Sequence, residues 1–531
     1  MKQFPRAVVA PIAVAVVVRA VFAYTDNIVS PDEAAYLGTG HNIWHGHGIT
    51  YLGEPQLHFP PLLPLLLGGL AKVLPEPHHA TVLVTFLASV ALVPVLGALA
   101  WRVGGRRAGV LALWFAALTP GLSRVVAWGA GGSEALYTAV LFGAALVAVG
   151  RRRWDDPVGL PRAAAVGALV GAAYLLRPEG ILTAAVFGAI LAVRVLKTAD
   201  WRRLFAVGAA CLAGLAVFAG PYVWFLHSHT GHWSLTAKSV DVSIEAWHAV
   251  AAQERDERDT YLYKLDDSGR STEQKTYALT ALARRHPRSY LNIVGENIKQ
   301  LYKSLLSPNV TTMPGFRLIA VPLIPFALFA AWRHRRTATV VAVVGVLLLS
   351  LATVIGFFVL NRYLPPAISA LVVLAAIGLA ELQGRAARIW ITVGLVTSVM
   401  SLATWFEGAH GPTLVRERPD LQLAARWLRN RVPAGATVMT RSTALPYYLP
   451  NNKLLVPPVG TVAQVWRYSR FNHVGYFLFD PTTQLYRQGL APLTDGKDHS
   501  AEGFELLHVV RVEDRETFIY RILRQREPAA P

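Results

Sequence analysis

Long apolar runs separated by short polar connections divide the chain up to about residue 406. A helix needs about 20 apolar residues to cross the hydrocarbon core of a bilayer, and several runs approach that length. The predicted spanning helices cover residues 5–24, 79–101, 108–124, 133–149, 162–177, 179–196, 204–226, 316–332, 338–360, 363–382 and 388–406. The pattern therefore predicts a polytopic α-helical membrane protein of about eleven spans.

Basic residues are concentrated in alternate connections between these runs. If the spans are counted as above, all of these connections lie on one side, which the positive-inside rule assigns to the cytoplasm together with the N-terminus. The basic residues are Arg102, Arg106, Arg107, Arg151, Arg152, Arg153, Arg194, Lys197, Arg202, Arg203, Arg333, Arg335, Arg336, Arg385 and Arg388. The other side then receives outer loops 25–78 and 227–315 and everything after residue 406.

Two outer segments are expected to have structure of their own. The run 60–74 is apolar but short and bracketed by prolines, which favours an interfacial helix at the outer surface. Segment 227–315 contains amphipathic patches at 272–285 and 290–306, which predict helices along that surface.

The pattern changes in the last part of the chain, where charged helical stretches alternate with short apolar strands. A helix is predicted at 420–431, and strands are predicted at 437–440, 454–456, 476–479, 506–512 and 517–523. Such alternation is typical of a small α/β domain, so residues 1–406 are assigned to a transmembrane domain and 407–531 to a soluble extracytoplasmic α/β domain.

Composition supports the membrane interpretation and excludes one other class. The 531 residues are 53% hydrophobic and only 16% charged, which leaves too little polar surface for a soluble protein of this size. A net charge of +18 would suggest nucleic acid in a soluble protein. Here the arginines lie between apolar runs, where they orient helices and meet anionic membrane lipids, so no nucleic acid partner is expected.

The most informative stretch is Ser30-Pro31-Asp32-Glu33-Ala34-Ala35-Tyr36, which follows the first span in a loop, 25–58, that has no Lys or Arg. Two adjacent carboxylates beside a membrane are costly to place without a purpose. One interpretation is a catalytic loop that closes over a lipid-linked substrate. The other is that Asp32 caps a helix beginning near Glu33, since Asp is a favoured N-cap residue.

The motifs of ATPases, serine hydrolases and zinc proteases are missing from the sequence. Because nucleotide sugars and ATP are not available outside the membrane, an activated sugar there would arrive on a polyprenyl phosphate. Sugar transfer needs a base for the acceptor hydroxyl, and Asp32 is the predicted base. Glu33 points about 100° away on a helix, so it is expected to orient the surroundings of Asp32, bind a cation or contact the acceptor.

Transfer also needs positive charge for the departing phosphate. Arg177 and Arg362 are the predicted donor phosphate ligands, because each lies where a span meets the outer surface and Arg offers a bidentate fork. Interfacial anchoring is the alternative for both. Lys238 and Lys303 are weaker phosphate candidates, and Glu134 has Arg124 as a nearby partner across an outer turn.

Histidines in two outer segments raise the alternative of a divalent metal ion. They are His41, His45, His47, His58, His227, His229 and His232. Their spacing matches no recurrent metal site, and interfacial histidines commonly bond to loops or lipid phosphates, so no metal ligand set is assigned.

These pieces together resemble the GT-C superfamily, and within it the bacterial relatives of protein O-mannosyltransferases and of the lipid A aminoarabinose transferase. The matching motifs are Asp32-Glu33-Ala34-Ala35-Tyr36, Phe59-Pro60-Pro61-Leu62, Ser133-Glu134-Ala135-Leu136, Leu176-Arg177-Pro178-Glu179-Gly180 and Asn361-Arg362-Tyr363-Leu364-Pro365-Pro366. The residues expected to contact substrate are Tyr36, His58, Glu134, Glu179 and Tyr363.

The resemblance implies an inverting transfer from a polyprenyl-phosphate sugar to a hydroxyl acceptor, with Asp32 as general base. The acceptor would be a cell-envelope glycan, lipid or protein at the outer face of a bacterial cell membrane. A flippase of lipid-linked sugars, an oligosaccharide ligase and a non-catalytic envelope scaffold are the alternatives. A transporter would use buried charges in broken helices and show related halves, and the sequence shows no duplicated halves.

Overall fold

The chain is described here from a computed structural model. The structure describes residues 4–24, 29–123, 132–150, 158–197, 201–238, 242–252, 254, 261–263, 277–306, 319–409 and 418–524. Within these ranges, six helices are long and apolar enough to cross a membrane, which makes this a multi-pass membrane protein.

The helices of the membrane part follow the apolar runs closely. They are α1 (Phe4–Tyr24), α2 (Pro31–Trp44), α3 (Leu62–Ala71), α4 (Pro77–Leu118), α5 (Pro120–Ser123), α6 (Ser133–Val149), α7 (Leu160–Leu176), α8 (Thr183–Leu196), α9 (Trp201–Thr230), α10 (Ile244–Ala252), α11 (Leu279–Arg285), α12 (Pro287–Leu306), α13 (Ile324–Arg333), α14 (Ala338–Gly356), α15 (Pro365–Glu381) and α16 (Gly384–Ala409). Short 3₁₀ helices at Pro178–Leu182, Val321–Leu323 and Asn361–Tyr363 lead into α8, α13 and α15.

The break between two predicted spans lies at Gly105. Spans 79–101 and 108–124 were expected to be separated by a basic connection, and α4 consists of two helices that meet at a kink at Gly105, with the second followed by α5. Gly105 has φ +70° and ψ −161°, a conformation that L side chains rarely adopt, so glycine is needed there. The two helices of α4 therefore meet at Gly105 with almost no connecting loop.

Arginines from the predicted basic side hold the C-terminal end of α6. Arg102, Arg162 and Arg194 donate to the carbonyls of residues 146–149 at distances of 2.6–2.8 Å. The last carbonyls of a helix have no intrahelical donor, and a guanidinium satisfies them while also favouring the negative end of the helix dipole. These arginines therefore join α4, α7 and α8 to the same end of α6.

The first outer loop folds as two short helices in close contact. In α2, a Cβ added at Gly40 would lie 2.3 Å from the carbonyl oxygen of Pro64, and one added at Gly68 of α3 would lie 2.4 Å from the carbonyl oxygen of Gly40. Backbones this close leave no room for a side chain. The predicted helix within 60–74 is observed as α3, and its Leu63 and Leu67 are fully buried.

The second outer segment contains a helical cluster around buried Trp247, Leu282 and Ile293. The predicted amphipathic stretch 290–306 lies in α12, and the part of 272–285 that is described contains α11, whereas residues 272–276 lie outside the described residues. The amide of Asn297 donates to the carbonyls of Ile355 at 2.9 Å and Phe357 at 3.1 Å. This contact fixes α12 against the end of α14.

Residues 418–524 contain a mixed β-sheet with helices on both faces. The helices are α17 (Pro419–Arg429), α18 (Leu445–Tyr448), α19 (Val462–Phe471) and α20 (Pro481–Tyr486). The strands are β3 (Thr437–Met439), β4 (Lys453–Leu455), β5 (Val474–Phe479), β6 (Phe504–Val512) and β7 (Arg515–Ile522). Their numbering follows β1 (Thr50–Tyr51) and β2 (Glu54–Pro55), which form a hairpin in the first outer loop. The strand order is β4-β3-β5-β7-β6, parallel among the first three and antiparallel thereafter.

The two faces of this sheet bury alternate residues of the central strand. Leu478 packs with α17, whereas Phe477 and Phe479 pack on the opposite face with α19. Successive side chains of a strand point to opposite faces, so a continuous apolar strand is expected when both faces are covered. The helix and strands lie in the segments that the alternation predicted.

Replacing Gly40 by alanine tests the contact between α2 and α3. The added methyl group would overlap the backbone of α3, so Gly40→Ala is expected to destabilise the protein by about 1–3 kcal/mol. The matched control is Gly143→Ala in α6, where an added Cβ meets nothing within 4 Å and alanine favours the helix. Unfolding temperatures in detergent should fall for the first variant only; an equal temperature for both would contradict the close contact.

Candidate functional site

The first turn of α2 is fixed by Ser30, which leaves Asp32 available for another role. The Ser30 hydroxyl accepts from the backbone N–H of Glu33 at 3.1 Å, and the Glu33 carboxylate accepts from the backbone N–H of Ser30 at 3.4 Å, which is a complete capping box. The alternative that Asp32 caps this helix is therefore wrong. Serine placed two positions earlier does so, with Pro31 as the first helical residue.

The Asp32 carboxylate pairs with an arginine distant in sequence. Arg362 donates from Nη1 to Asp32 Oδ2 at 2.7 Å and from Nη2 to the Tyr363 hydroxyl at 3.2 Å. The side chain of Asp32 is 30% exposed, so the pair is reachable from solvent. Arg362 lies in the 3₁₀ turn between α14 and α15, and the prolines after it begin α15 directly.

A second ionic group lies beside this pair. Arg177 donates from Nη1 to Glu134 at 2.8 Å and from Nε to Glu179 at 2.5 Å. Glu134 Oε1 is also 4.0 Å from Nε of Arg362, so one carboxylate joins the two arginines. Arg177 ends α7, Glu134 is in the first turn of α6, and Glu179 precedes α8. The predicted partner Arg124 lies outside the described residues.

The charge around Arg362 keeps its guanidinium protonated. Burial alone would lower the pKa of Arg362, but the neighbouring Tyr363, Asp32 and Glu134 outweigh burial and raise the pKa. A charge taken out of water is tolerated only with such partners. The same residues therefore stabilise the fold and fix a cation at the cleft.

These residues line one cleft of about 310 Å³. The predicted site residues that it brings together are Asp32, Tyr36, Glu134, Arg177, Glu179, Lys238, Arg362 and Tyr363. A second cavity of about 660 Å³ shares Arg177, Glu179, Lys238 and Tyr363, and it extends along the apolar end of α14. The cleft and the second cavity thus meet at a strip of charged side chains.

The aromatic wall of the cleft comes from the first outer loop. The Phe59 ring lies 4.6 Å from the rings of both Tyr36 and His58, measured between centroids, and 5.6 Å from Nζ of Lys238. Burial, and then the positive charge of Lys238, lower the pKa of His58 to about 4 although Asp32 opposes this, so the imidazole is neutral at pH 7. Burial and the nearby carboxylates Asp32 and Glu134 raise the pKa of Tyr36, which therefore keeps its proton.

Glu33 lies away from the cleft. Its side chain is fully buried, and Nδ1 of His78 contacts Oε1 of Glu33 at 2.7 Å. Of the three roles expected for Glu33, this placement favours orienting Asp32, and it does not favour direct contact with an acceptor or an exposed cation. Adjacent helical residues point in directions about 100° apart, which explains the separation.

The predicted histidines do not form a metal site in the part of the chain that is described. No group of three or more His, Cys, Asp or Glu side chains close enough to hold an ion is found there. His41 instead stacks on His45 with ring centroids 3.9 Å apart, and His227 stacks on Trp233 at 4.0 Å. Lys303 lies exposed on α12 and does not line the cleft.

Sequence reasoning did not identify every residue that lines these cavities. Ser133 lines the cleft beside Glu134, and Ser350, Thr353, Phe357 and Phe358 line the second cavity. The four of these residues that line the second cavity lie in or just after α14, whose sequence is that of an ordinary apolar span. Nothing in the local sequence therefore distinguishes them as cavity residues. Ser133 belongs to a motif already singled out, and its hydroxyl donates to Glu134 at 3.2 Å.

Comparison of folds identifies solved structures that are similar to the whole chain. ArnT from Cupriavidus metallidurans bound to undecaprenyl phosphate matches with a TM-score of 0.53 and 15% identity over 99% of both chains. The oligosaccharyltransferase of Archaeoglobus fulgidus tethered to an acceptor peptide matches with a TM-score of 0.54 and 13% identity, over 93% of this chain and 72% of that one.

The arabinofuranosyltransferase AftD from Mycobacteria matches with a TM-score of 0.51 and 14% identity, over 97% of this chain but 40% of that one. No family profile and no curated protein matches the sequence. All three solved structures are GT-C glycosyltransferases, so the GT-C fold implied by the sequence motifs is confirmed.

Replacing Glu134 by glutamine tests the ionic group. The change removes the charge that joins Arg177 to Arg362 but keeps the shape, so we expect a loss of about 1–3 kcal/mol of stability. Glu296→Gln is the matched control, because Glu296 pairs with Lys299 of α12 and that lysine is 70% exposed. Thermal unfolding in detergent should show a decrease for the first variant alone, and equal decreases would contradict a coupled buried group.

The pH dependence of stability should contain a contribution from His58. Its folded pKa of about 4 lies below the ordinary value of about 6.5, so the unfolded chain binds the proton first as the pH falls. Stability is fully present above pH 6.5 and is lost as the pH falls towards 4. His58→Gln should lose less stability than the wild type between pH 7.5 and pH 5. Identical losses would contradict the burial of His58 and its lowered pKa.

Proposed function

We propose that this protein transfers a sugar from a polyprenyl-phosphate donor to a hydroxyl acceptor of the bacterial cell envelope, with inversion at the sugar. The observation that carries the proposal is the Asp32 carboxylate, which faces an accessible cleft and is held 2.7 Å from the Arg362 guanidinium. A base and a phosphate-binding cation thus lie side by side. The structure of ArnT bound to undecaprenyl phosphate, which has a similar fold, supports a polyprenyl phosphate as the lipid part of the donor.

The two cavities supply places for the two ends of such a donor. The larger cavity has apolar walls from Leu349, Val354, Phe357 and Phe358, which suit an isoprenoid chain. The smaller cleft has carboxylates and aromatic rings, which suit a sugar. Because both contain Arg177 and Lys238, the phosphate that joins lipid to sugar would lie at their junction.

The cations at this junction have complementary geometry. Arg177 and Arg362 are planar forks held by carboxylates, so their direction is set before the donor binds. Lys238 carries a compact charge on a flexible chain, and it contacts the Phe59 ring face. The lysine can therefore follow the phosphate while the arginines remain in place.

The reaction that follows is a single displacement. Asp32 accepts the proton of the acceptor hydroxyl as the acceptor oxygen attacks the anomeric carbon from the face opposite the phosphate. The bond between that carbon and the phosphate oxygen breaks, its electron pair stays on the phosphate, and the nearby cations stabilise this charge. One displacement inverts the anomeric configuration.

The ion pair with Arg362 gives Asp32 a defined direction. Only Oδ2 is used in the 2.7 Å contact, so Oδ1 is the oxygen that would receive the proton. A donor phosphate near Arg362 would share the guanidinium with the Asp32 carboxylate.

We also propose that the cleft opens at the outer face of the membrane. Glu134 begins α6, whereas Arg102, Arg162 and Arg194 hold the other end of the same helix. The 17 residues of α6 separate these ends by roughly 25 Å, which is close to the thickness of the hydrocarbon core. Since arginine-rich connections are retained in the cytoplasm, the cleft and residues 418–524 are assigned to the outside and the N-terminus to the inside.

The direct test is transfer of radiolabelled sugar from polyprenyl-phosphate monosaccharides in proteoliposomes that contain envelope acceptors. Asp32→Asn should reduce transfer by about 10²- to 10⁴-fold, because the amide cannot accept the proton, while undecaprenyl phosphate binding is retained. Asp514→Asn in the exposed turn between β6 and β7 is the matched control and should transfer normally.

Two results would overturn this proposal. Full transfer by Asp32→Asn would remove Asp32 as the base, and no transfer by the wild-type protein from any polyprenyl-phosphate sugar in the panel would remove the reaction itself. Movement of lipid-linked sugar between leaflets by the same proteoliposomes would then favour the flippase alternative.

A further inference from the structure

A chain of polar contacts connects residues 418–524 to the first turn of α2. The phenol of Tyr447 lies beside the backbone N–H of His78, in the first turn of α4. Nδ1 of His78 lies 2.7 Å from Oε1 of Glu33, and Oε2 of Glu33 accepts from the backbone N–H of Ser30. The chain ends one residue from Asp32.

The short helix α18 makes this connection with two adjacent tyrosines. Tyr447 packs against the core of the membrane part, and Tyr448 packs against the core under the C-terminal sheet. Their rings are nearly perpendicular, at 86°, with centroids 4.9 Å apart. Neighbouring residues of one helical turn thus belong to two different hydrophobic cores, and α18 contacts α2 directly.

Glu33 and His78, in the middle of this series of contacts, are buried and therefore depend on each other for hydrogen bonding. The side chain of Glu33 is completely buried, and that of His78 is 10% exposed. A buried carboxylate is expensive unless it is paired and hydrogen-bonded, so its direction is set by the groups that satisfy it. Burial, and then the nearby carboxylates Glu33 and Glu76, raise the pKa of Tyr447 to about 12 against the opposing effect of the His78 backbone, so its hydroxyl keeps its proton.

The position of Asp32 depends on the same turn. Asp32 lies between Ser30 and Glu33, which bond to each other across the first turn of α2. If Glu33 moved, the capping box would open and the turn could rotate, and displacements near 1 Å are enough to cost about 10²-fold in rate. An apolar core at this place would stabilise the fold as well as a buried polar chain does, without defining a direction for the turn.

We propose that the C-terminal unit, residues 418–524, positions the general base through Tyr447, His78 and Glu33. This inference rests on the proposed function, in which Asp32 is the base. Glu33 and His78 are positioning residues, and Tyr447 makes their position depend on the packing of α18 against α2. The C-terminal unit thereby acts on the reaction without contributing a group that contacts the substrate.

The experiment uses the full-length protein with two substitutions at His78. Asparagine can place its amide N–H where Nδ1 of histidine lies, whereas leucine cannot. His78→Leu should reduce kcat by about 10- to 100-fold, in the range found for residues that orient a reacting group. The donor KM should not change, because Arg177, Lys238 and Arg362 are untouched, and His78→Asn should restore most of kcat.

Tyr447→Phe gives a test that does not disturb the buried pair. It removes only the hydroxyl, so kcat should fall by a smaller factor, and amide hydrogen exchange should become faster in residues 29–45. Tyr468→Phe in α19, on the far face of the C-terminal sheet, is the matched control and should change neither quantity. In a Glu33→Gln background the effect of Tyr447→Phe should disappear, because the chain is already broken.

The outcomes separate this inference from the proposed function. If Asp32→Asn abolishes transfer but His78→Leu and Tyr447→Phe keep the wild-type kcat, the positioning chain is wrong and the base is retained. Equal losses in His78→Leu and His78→Asn would also overturn it, since a specific N–H would then have no effect. If Asp32→Asn transfers normally, the proposed function fails first.

Discussion

The arrangement depends on one constraint, which is that charges buried at one end of the helices must be neutralised by partners from other helices. Glu134, Arg177 and Arg362 come from segments that are far apart in sequence, yet they lie within hydrogen-bond or ion-pair distance of one another. None of these side chains could be buried alone at an acceptable free energy. The ends of α6, α7 and α14 are therefore held together by the same contacts that form the cleft.

The same ionic contacts therefore define both the packing of these helices and the walls of the cleft. A phosphate-binding site assembled from free lysines would have to be ordered at the moment of binding, and the entropy of that ordering would weaken the affinity. Here the carboxylates hold the guanidinium groups of Arg177 and Arg362 in one orientation beforehand. Each arginine already has an anionic partner, so the phosphate of the proposed donor would have to share it.

The sequence predicted features that depend on local pattern. Apolar runs marked the helices because a membrane span must be continuous, and a short continuous apolar run marked β5 because both of its faces are covered. Asp32, Arg177 and Arg362 were predicted as site residues because each lies where a span meets the outer surface, on the side opposite the basic connections. Local pattern did not identify the N-cap of α2, because both Ser30 and Asp32 are favoured N-cap residues. Glu33 at the third helical position completes a capping box with Ser30, which makes Ser30 the N-cap.

The remaining features arise from contacts that no local pattern contains. The partner of Glu33 is 45 residues away, and the hydroxyl that contacts His78 comes from Tyr447, in a different part of the fold. The sequence predicted a break between residues 101 and 108, but not that the backbone conformation of the single residue Gly105 forms it. Side chains that line the second cavity, such as Thr353, resemble any other residue of an apolar span.

The arginines around the end of α6 are relevant both to membrane insertion and to the packing of the folded helices. During insertion only the sign of their charge matters, so lysine would serve equally well. After folding, Arg102, Arg162 and Arg194 donate to backbone carbonyls that must be reached in defined directions. In the orientation proposed above, the same arginines favour the cytoplasmic side during insertion and are held by backbone hydrogen bonds after folding, so the folded structure stabilises the orientation that insertion selects.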